Sequence, residues 1–146
     1  MITISLGTNS LGANKGDFDT VMAVNWGVEG SDIDKTVVYG AMRWEIETLK
    51  RKFPKAIIIL STPIQRFFQN VVNMSAMNDA IRKIAFSYGC IVTDAYSESG
   101  SSIVIDSSIA DQENRLYYLD GLHLTNQGAE MYSKYMAGKI ESGLNT

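Results

Sequence analysis

Apolar and polar positions alternate along this chain in a way that predicts a short series of strands and helices. Residues 2–6 (Ile-Thr-Ile-Ser-Leu) are β-prone and stop at Gly7, which predicts a strand starting almost at the first residue. Residues 7–33 are rich in Gly, Asn, Ser and Asp and predict a long loop, a kind usually functional or mobile in compact domains. Ser31 and Asp34 suggest a capping box before Val38, Met42, Ile46, Leu49 and Phe53, whose spacing predicts an amphipathic helix over 35–52, with Pro54 past its end. Ala56-Ile57-Ile58-Ile59-Leu60 is continuously apolar, as a strand covered on both faces should be, and Ser61-Thr62-Pro63 ends it. A second helix is predicted over 74–88, with Met74, Met77, Ile81, Ile84, Ala85 and Tyr88 on its buried face and Gly89 just past its end. Residues 90–93 predict a third strand. Residues 97–115 are polar apart from Ile103-Val104-Ile105, a short strand or an ordered turn. Thr125 or Asn126 caps a last helix to about 141, with Ala129, Tyr132, Tyr135, Met136 and Ile140 inward.

Strands alternating with helices imply right-handed βαβ units and a parallel sheet. Such sheets carry their active groups at the carboxyl ends of strands. That places residues 7–10, 61–66 and 94–97 at one rim. At 146 residues and 45% hydrophobic content the chain makes one domain with a real core. With 13 basic and 16 acidic residues the net charge is −3, and the densest basic run, Lys50-Arg51-Lys52, suits a solvated last helical turn. No basic face calls for nucleic acid, and no apolar run approaches a membrane span. The single cysteine, Cys90, excludes an intrachain disulfide and reads as a small buried hydrophobe. Residues 1–6 lack the basic start and long apolar stretch of a signal peptide. The expectation as the sequence stands is a cytoplasmic protein, or a secreted or surface one if a signal segment precedes Met1.

Three places could carry chemistry. His123 is the only histidine, so any imidazole base must be this one. Asp120, three residues earlier across Gly121, could hold one ring nitrogen and turn the other outward; the alternative is an Asp-Gly turn beside a surface histidine. In Gly7-Thr8-Asn9-Ser10 the Asn9 amide could donate to a developing oxyanion, or stabilise its own turn. Thr62-Pro63-Ile64-Gln65-Arg66 could place polar groups over the rim, or be a turn ended by a surface arginine. Gly7 and Gly12 have the first spacing of a phosphate loop, but Ala13-Asn14 stands where Lys-Ser/Thr is required. A nucleotide- or flavin-binding reading therefore lacks its cradle.

Taken in order, these segments resemble the SGNH, or GDSL-type, hydrolases. Gly7-Thr8-Asn9-Ser10 stands where that family has its third block, Gly-x-Asn-Asp. Asp120-Gly121-Leu122-His123 is similar to the fifth block, Asp-x-x-His, before the last helix. Tyr39-Gly40-Ala41-Met42-Arg43 and Thr62-Pro63-Ile64-Gln65-Arg66 look like segments of carbohydrate-esterase-like members. The resemblance implies a three-layer, flavodoxin-like α/β domain over 1–146, a parallel sheet with flanking helices, its N-terminal strand or strands missing. It implies that Asp120 orients His123, that His123 is the base, and that Asn9 donates to the oxyanion. Gly7, Thr8, Ser10, Gln65 and Arg66 would complete the oxyanion and substrate-binding surface, and no metal or organic cofactor is implied. The family's nucleophile, in a Gly-Asp-Ser block after its first strand, has no counterpart: Ile105-Asp106-Ser107 is the nearest echo, and Ser10 and Ser61 lie at the correct rim without a nucleophile elbow. The implied activity is hydrolysis of acetylated carbohydrate or small acyl esters, weak or absent in this chain alone. The alternative is a silent module that binds glycans, with Trp26, Tyr39, Trp44, Tyr117 and Tyr118 as stacking faces, or mediates assembly. Without the family's strand 1, residues 2–6 become an open edge, so a homodimer or a complementing N-terminal segment is expected.

Overall fold

Three parallel strands, in the order β1-β2-β3, form the sheet: β1 (Ile2–Ser5), β2 (Ile58–Ser61) and β3 (Ile91–Thr93). The computed structural model describes residues 1–25, 32–66, 71–101 and 103–145. Ile4 aligns with Leu60 and Leu60 with Val92, so even-numbered positions share one face. That face packs on α2 (Val38–Lys52) and α3 (Val71–Ser87), whose Ile46, Met74, Met77, Ile81 and Ile84 complete the core. β2, in the middle, is buried on both faces, as its unbroken apolar run predicts. Burying each of Ile58, Ile59 and Leu60 contributes about 1.5–3 kcal/mol. The second face meets α6 (Asn126–Leu144) beside β3, where Gly143 lets the Ile91 side chain approach closely.

The ends of α3 and α6 follow their local chemistry. Gly89, at φ +59°, follows α3 in a left-handed conformation; its N–H donates to the Phe86 carbonyl and that of Cys90 to the Ala85 carbonyl. This is a Schellman cap, which satisfies carbonyls the helix leaves open. Thr125 caps α6, its hydroxyl accepting the Gly128 N–H at 3.0 Å. Lys50, Arg51 and Lys52 do form the last turn of α2.

Several expectations are corrected. The 7–33 stretch is not one loop: Thr8–Ser10 is a 3-10 turn and Phe18–Ala23 is a short helix, α1, capped by Asp17. α2 starts at Val38 rather than 35. Asp34 does not cap it but accepts the Thr36 N–H and hydroxyl in a local turn, and Ser31 and Trp26 lie outside the described residues. Phe53 is exposed, because it follows the helix rather than continuing its buried stripe. α3 begins earlier, at Val71. After β3, Ala95–Glu98 forms a helical turn, α4. Ile103-Val104-Ile105 is neither strand nor turn but opens α5 (Ile103–Ser107). Ala129 of α6 is exposed, since this helix covers only the β3 side of the sheet.

The open side of the sheet is β1. The Ile2 N–H donates to the Ile57 carbonyl, so even residues of β1 bond toward β2. Thr3 and Ser5 therefore turn their N–H and C=O groups to the free edge, and their side chains are exposed as well.

Candidate active site

The carboxyl ends of the three strands meet at one rim, tied by side-chain to backbone bonds. Thr62 Oγ1 donates to Asp94 Oδ1 at 3.0 Å and accepts the Tyr96 N–H at 3.1 Å. Gln65 Nε2 donates to the Tyr96 carbonyl at 3.1 Å, and its Oε1 accepts the Ile103 N–H at 3.0 Å. Arg66 Nη1 donates to the Thr8 carbonyl at 2.6 Å. Gln65 and Arg66 thus grip backbone, one joining the loop after β2 to that after β3, the other joining it to the turn after β1.

That turn begins at Gly7, whose φ of +105° suits glycine alone. A Cβ there would also press on Met77 and Pro63, at 3.1 and 3.2 Å. The Ser10 N–H closes the turn on the Gly7 carbonyl at 3.0 Å. Asn9 is exposed, and its amide makes no hydrogen bond among the described residues, so the turn does not consume it.

Asp120 and His123 sit at the tip of a small hairpin. Tyr118 bridges Leu124 in antiparallel fashion, the Leu119 N–H donates to the His123 carbonyl at 2.8 Å, and the Thr125 N–H donates to the Tyr117 carbonyl at 2.9 Å. Gly121, at φ +83°, turns the chain between them. Asp120 Oδ1 accepts the N–H groups of His123 (2.8 Å) and Leu122 (3.0 Å), and Oδ2 lies 2.7 Å from His123 Nδ1. One carboxylate oxygen therefore shapes the loop while the other holds the ring. The His123 N–H, then the His123 ring, then the Leu122 N–H hold the Asp120 carboxyl well below the usual carboxylate range. With Nδ1–H donated to Asp120, Nε2 is the basic nitrogen, and the ring is 71% exposed. Asp120 is 48% exposed, unlike the buried orienting carboxylate of a serine protease triad, so water screens the pair.

The hairpin is held from below by Asp106, a residue the sequence showed only as a faint Asp-Ser echo. Asp106 is fully buried, and its two oxygens accept the N–H groups of Leu116, Tyr117 and Tyr118 at 2.9, 2.7 and 2.6 Å. Buried Tyr118 continues to Ser101, at 3.1 Å between hydroxyls. Gly128 completes the fit: a Cβ there would stand 2.3 Å from the Tyr117 carbonyl oxygen. An acid following three apolar residues was the available signal for Asp106, but its partners are ten to twelve residues away.

Among the described residues no serine hydroxyl bonds to His123. Ser10 is exposed on its turn, Ser61 is buried and donates to the Thr62 carbonyl at 3.2 Å, and Ser107 follows Asp106 on α5. The described His, Cys, Asp and Glu side chains form no group of three that could hold a metal ion. No helix among the described residues is long and apolar enough to cross a membrane. Tyr118 is buried, whereas Trp44 is exposed, with Lys35 Nζ 5.2 Å from its ring centroid. Cys90 is half-buried against the core, and burial pushes its thiol up.

No protein-family model and no curated protein sequence matches the chain. Solved structures do share its fold. One, described as a possible lipase from Chitinophaga pinensis, aligns over 97% of this chain and 72% of its own, with a TM-score of 0.71 and 18% identity. A Lactobacillus plantarum protein aligns over 84% and 61%, with a TM-score of 0.64 and 21% identity. An esterase domain of a zebrafish retrotransposon protein aligns over 70% and 56%, with a TM-score of 0.54 and 21% identity. The chain therefore shares the α/β fold of these structures. It spans less than two thirds of the length of most of these structures.

Proposed function

We propose that this chain carries the base half of a serine ester hydrolase site acting on acetylated carbohydrate or other small acyl esters. The observation that carries the proposal is the Asp120–His123 pair, 2.7 Å apart on a hairpin anchored by Asp106, with Nε2 turned outward. In this reading His123 takes the proton of an attacking serine and returns it to the leaving alkoxide, while Asp120 fixes the tautomer. Asn9, on a turn held by Gly7 and Arg66, donates to the tetrahedral oxyanion; Thr8 and Ser10 flank it, and Gln65 keeps the adjoining loop in place. No metal or organic cofactor enters the reaction.

The chain by itself is a weak or inactive hydrolase in this reading, because no described serine is poised on His123. The open edge of β1 is the place for the missing part, a strand from a second copy or from a separately supplied N-terminal segment. Such a strand would lie against Thr3 and Ser5, at whose end the Asn9 turn begins.

Hydrolysis of p-nitrophenyl acetate tests the proposal. Any turnover above the buffer rate, however small, should be lost in His123→Ala and in Asp120→Asn, which offers the wrong tautomer partner. Turnover that survives His123→Ala removes the histidine from the mechanism. Absence of turnover together with saturable glycan binding makes the chain a silent module instead.

A further inference from the structure

Gln65, which the sequence suggested as a substrate contact, engages both atoms of its amide within the protein. Its Nε2 donates to the Tyr96 carbonyl, and its Oε1 accepts the N–H of Ile103, the first residue of α5. Its backbone also interacts with the Tyr118 hydroxyl. α5 and Tyr118 are supports of the hairpin that carries Asp120 and His123. On α5, Asp106 accepts the N–H groups of Leu116, Tyr117 and Tyr118. Tyr118 bridges Leu124, the neighbour of His123, and its hydroxyl lies 3.1 Å from that of Ser101. Two routes thus run from Gln65 to the hairpin, one through α5 and one through Tyr118. The next residue, Arg66, holds the Thr8 carbonyl beside Asn9 at 2.6 Å.

We propose that Gln65 is a positioning residue for His123, which through α5 and Tyr118 sets the place of the hairpin relative to the turn that carries Asn9. The bonds within the hairpin, from Asp120 to Leu122 and His123 and from Leu119 to His123, fix its shape but not its place over the rim. Its place follows from what α5 and Tyr118 rest against, and both meet Gln65. A planar side-chain amide carries a donor and an acceptor at a fixed spacing, so one glutamine ties the Tyr96 carbonyl and the Ile103 N–H together. No apolar side chain does this, and a carboxylate supplies the acceptor alone. With Gln65 on the hairpin side and Arg66 on the Asn9 side, base and oxyanion donor are both referred to one peptide unit. Such a register matters because a misplacement of about 1 Å between reacting groups costs on the order of 100-fold in rate. The catalytic meaning of the register rests on the proposed ester hydrolysis; the register itself does not.

NMR of the intact chain tests this without requiring turnover. His123 is the only histidine, so its carbon-13-labelled ring gives signals that need no further assignment. Gln65→Met keeps the length of the side chain and removes both amide bonds; the His123 ring signals should shift by more than their linewidth. Gln65→Glu keeps the acceptor for the Ile103 N–H and should return them most of the way to their native positions. Lys50→Met breaks the bond from Lys50 to the Ala56 carbonyl, before β2 and away from the rim, and should leave them in place. If Gln65→Met fails to fold, Tyr118→Phe cuts the second route alone and should move the same signals by less. The proposal is overturned by unmoved signals in the folded variant, by an equal shift in Lys50→Met, or by a Gln65→Glu chain as displaced as Gln65→Met. With p-nitrophenyl acetate, any turnover that depends on His123 should lose kcat in Gln65→Met with KM unchanged. A raised KM at unchanged kcat makes Gln65 a substrate contact and overturns the proposal as well. Signals that respond in a chain without such turnover support the register and overturn the hydrolase reading alone.

Discussion

At the scale of single residues, the candidate site depends on two aspartates with different work. Asp120 is exposed and local, and its bonds reach no further than three residues along the chain. Asp106 is buried and holds three backbone donors that no other side chain meets. Asp106→Ala would strand these donors, and with a penalty of about 1–3 kcal/mol for a buried unsatisfied group it should cost about 3 kcal/mol in urea unfolding. The His123 ring resonances should broaden or shift in the same variant, since the hairpin loses its footing; unchanged resonances would show that the hairpin stands by itself. The pH response of Asp120 has the opposite sense to that of a base. Its folded carboxyl titrates below the unfolded value, so its contribution to stability is complete above about pH 4 and is lost only as pH falls through the lower folded value. The stability difference between the native chain and Asp120→Asn should accordingly shrink progressively as pH falls from about 4 toward the lower folded value. Its disappearance by pH 4 would contradict the bonding described.

At the scale of elements, Arg43 links α2 to the segment before it. Its Nε pairs with Glu47 at 2.7 Å, its Nη1 donates to the Val21 carbonyl, and its Nη2 donates to the carbonyls of Val24 at 2.8 Å and Asn25 at 3.2 Å. Glu47 also accepts the Tyr88 hydroxyl at 2.7 Å, so the same carboxylate reaches the end of α3. Desolvation and the Glu47 bond raise the Tyr88 hydroxyl far above its ordinary range, which keeps it a donor at all ordinary pH. Gly40, one turn of α2 earlier, lets the Asp34 carbonyl lie where a Cβ would be, 1.9 Å away. The Tyr-Gly-Ala-Met-Arg segment is thus a clamp that seats Val21, Val24, Asn25 and Asp34 on α2. Arg43→Ala leaves the buried Glu47 with only Arg51, 3.7 Å away, and the Tyr88 hydroxyl, and should cost about 3 kcal/mol. Arg43→Lys should recover little of it, because an ammonium cannot serve Glu47 and the carbonyls of Val21 and Val24 together. Thermal unfolding of the two variants decides the point, with full recovery by lysine as the contrary result.

At the scale of the whole molecule, a three-stranded sheet is covered on its even face by two helices and on its odd face mainly near β3. Among the described residues β1 keeps an unbonded edge, with no charged side chain and no proline in residues 1–6, and Met1 and Leu6 are more than half exposed. Natural edges are usually protected by such devices. Light scattering at micromolar concentration is therefore expected to give a dimer, and Ser5→Lys, which puts a charge on the edge strand, should return it to a monomer. A native chain that is monomeric there counts against pairing with a second copy.

Much of this fold was legible in the sequence because its signals are local. Helical spacing marked the buried face of α3, the unbroken run from Ala56 marked the central strand, and Gly89 and Thr125 marked ends whose caps are made within a few residues. Asp120 and His123 are three apart, so their pairing needed only a glycine turn. What the sequence left open was decided by contacts with no local period. Arg66 reaches back 58 residues to the Thr8 carbonyl, Arg43 reaches back 22 to that of Val21, and Asp106 reaches forward to three successive N–H groups. Ile103-Val104-Ile105 became a helix where its β-branched residues alone suggested a strand or turn, with the Ile103 N–H on Gln65 and Asp106 on residues 116–118. The apolar cavity floored by Leu60, Met77 and Ile81 likewise exists only once two strands and two helices are assembled. Periodicity reports which face of an element is buried; what it is buried against is set by the order and pairing of the strands, and that is a property of the folded chain.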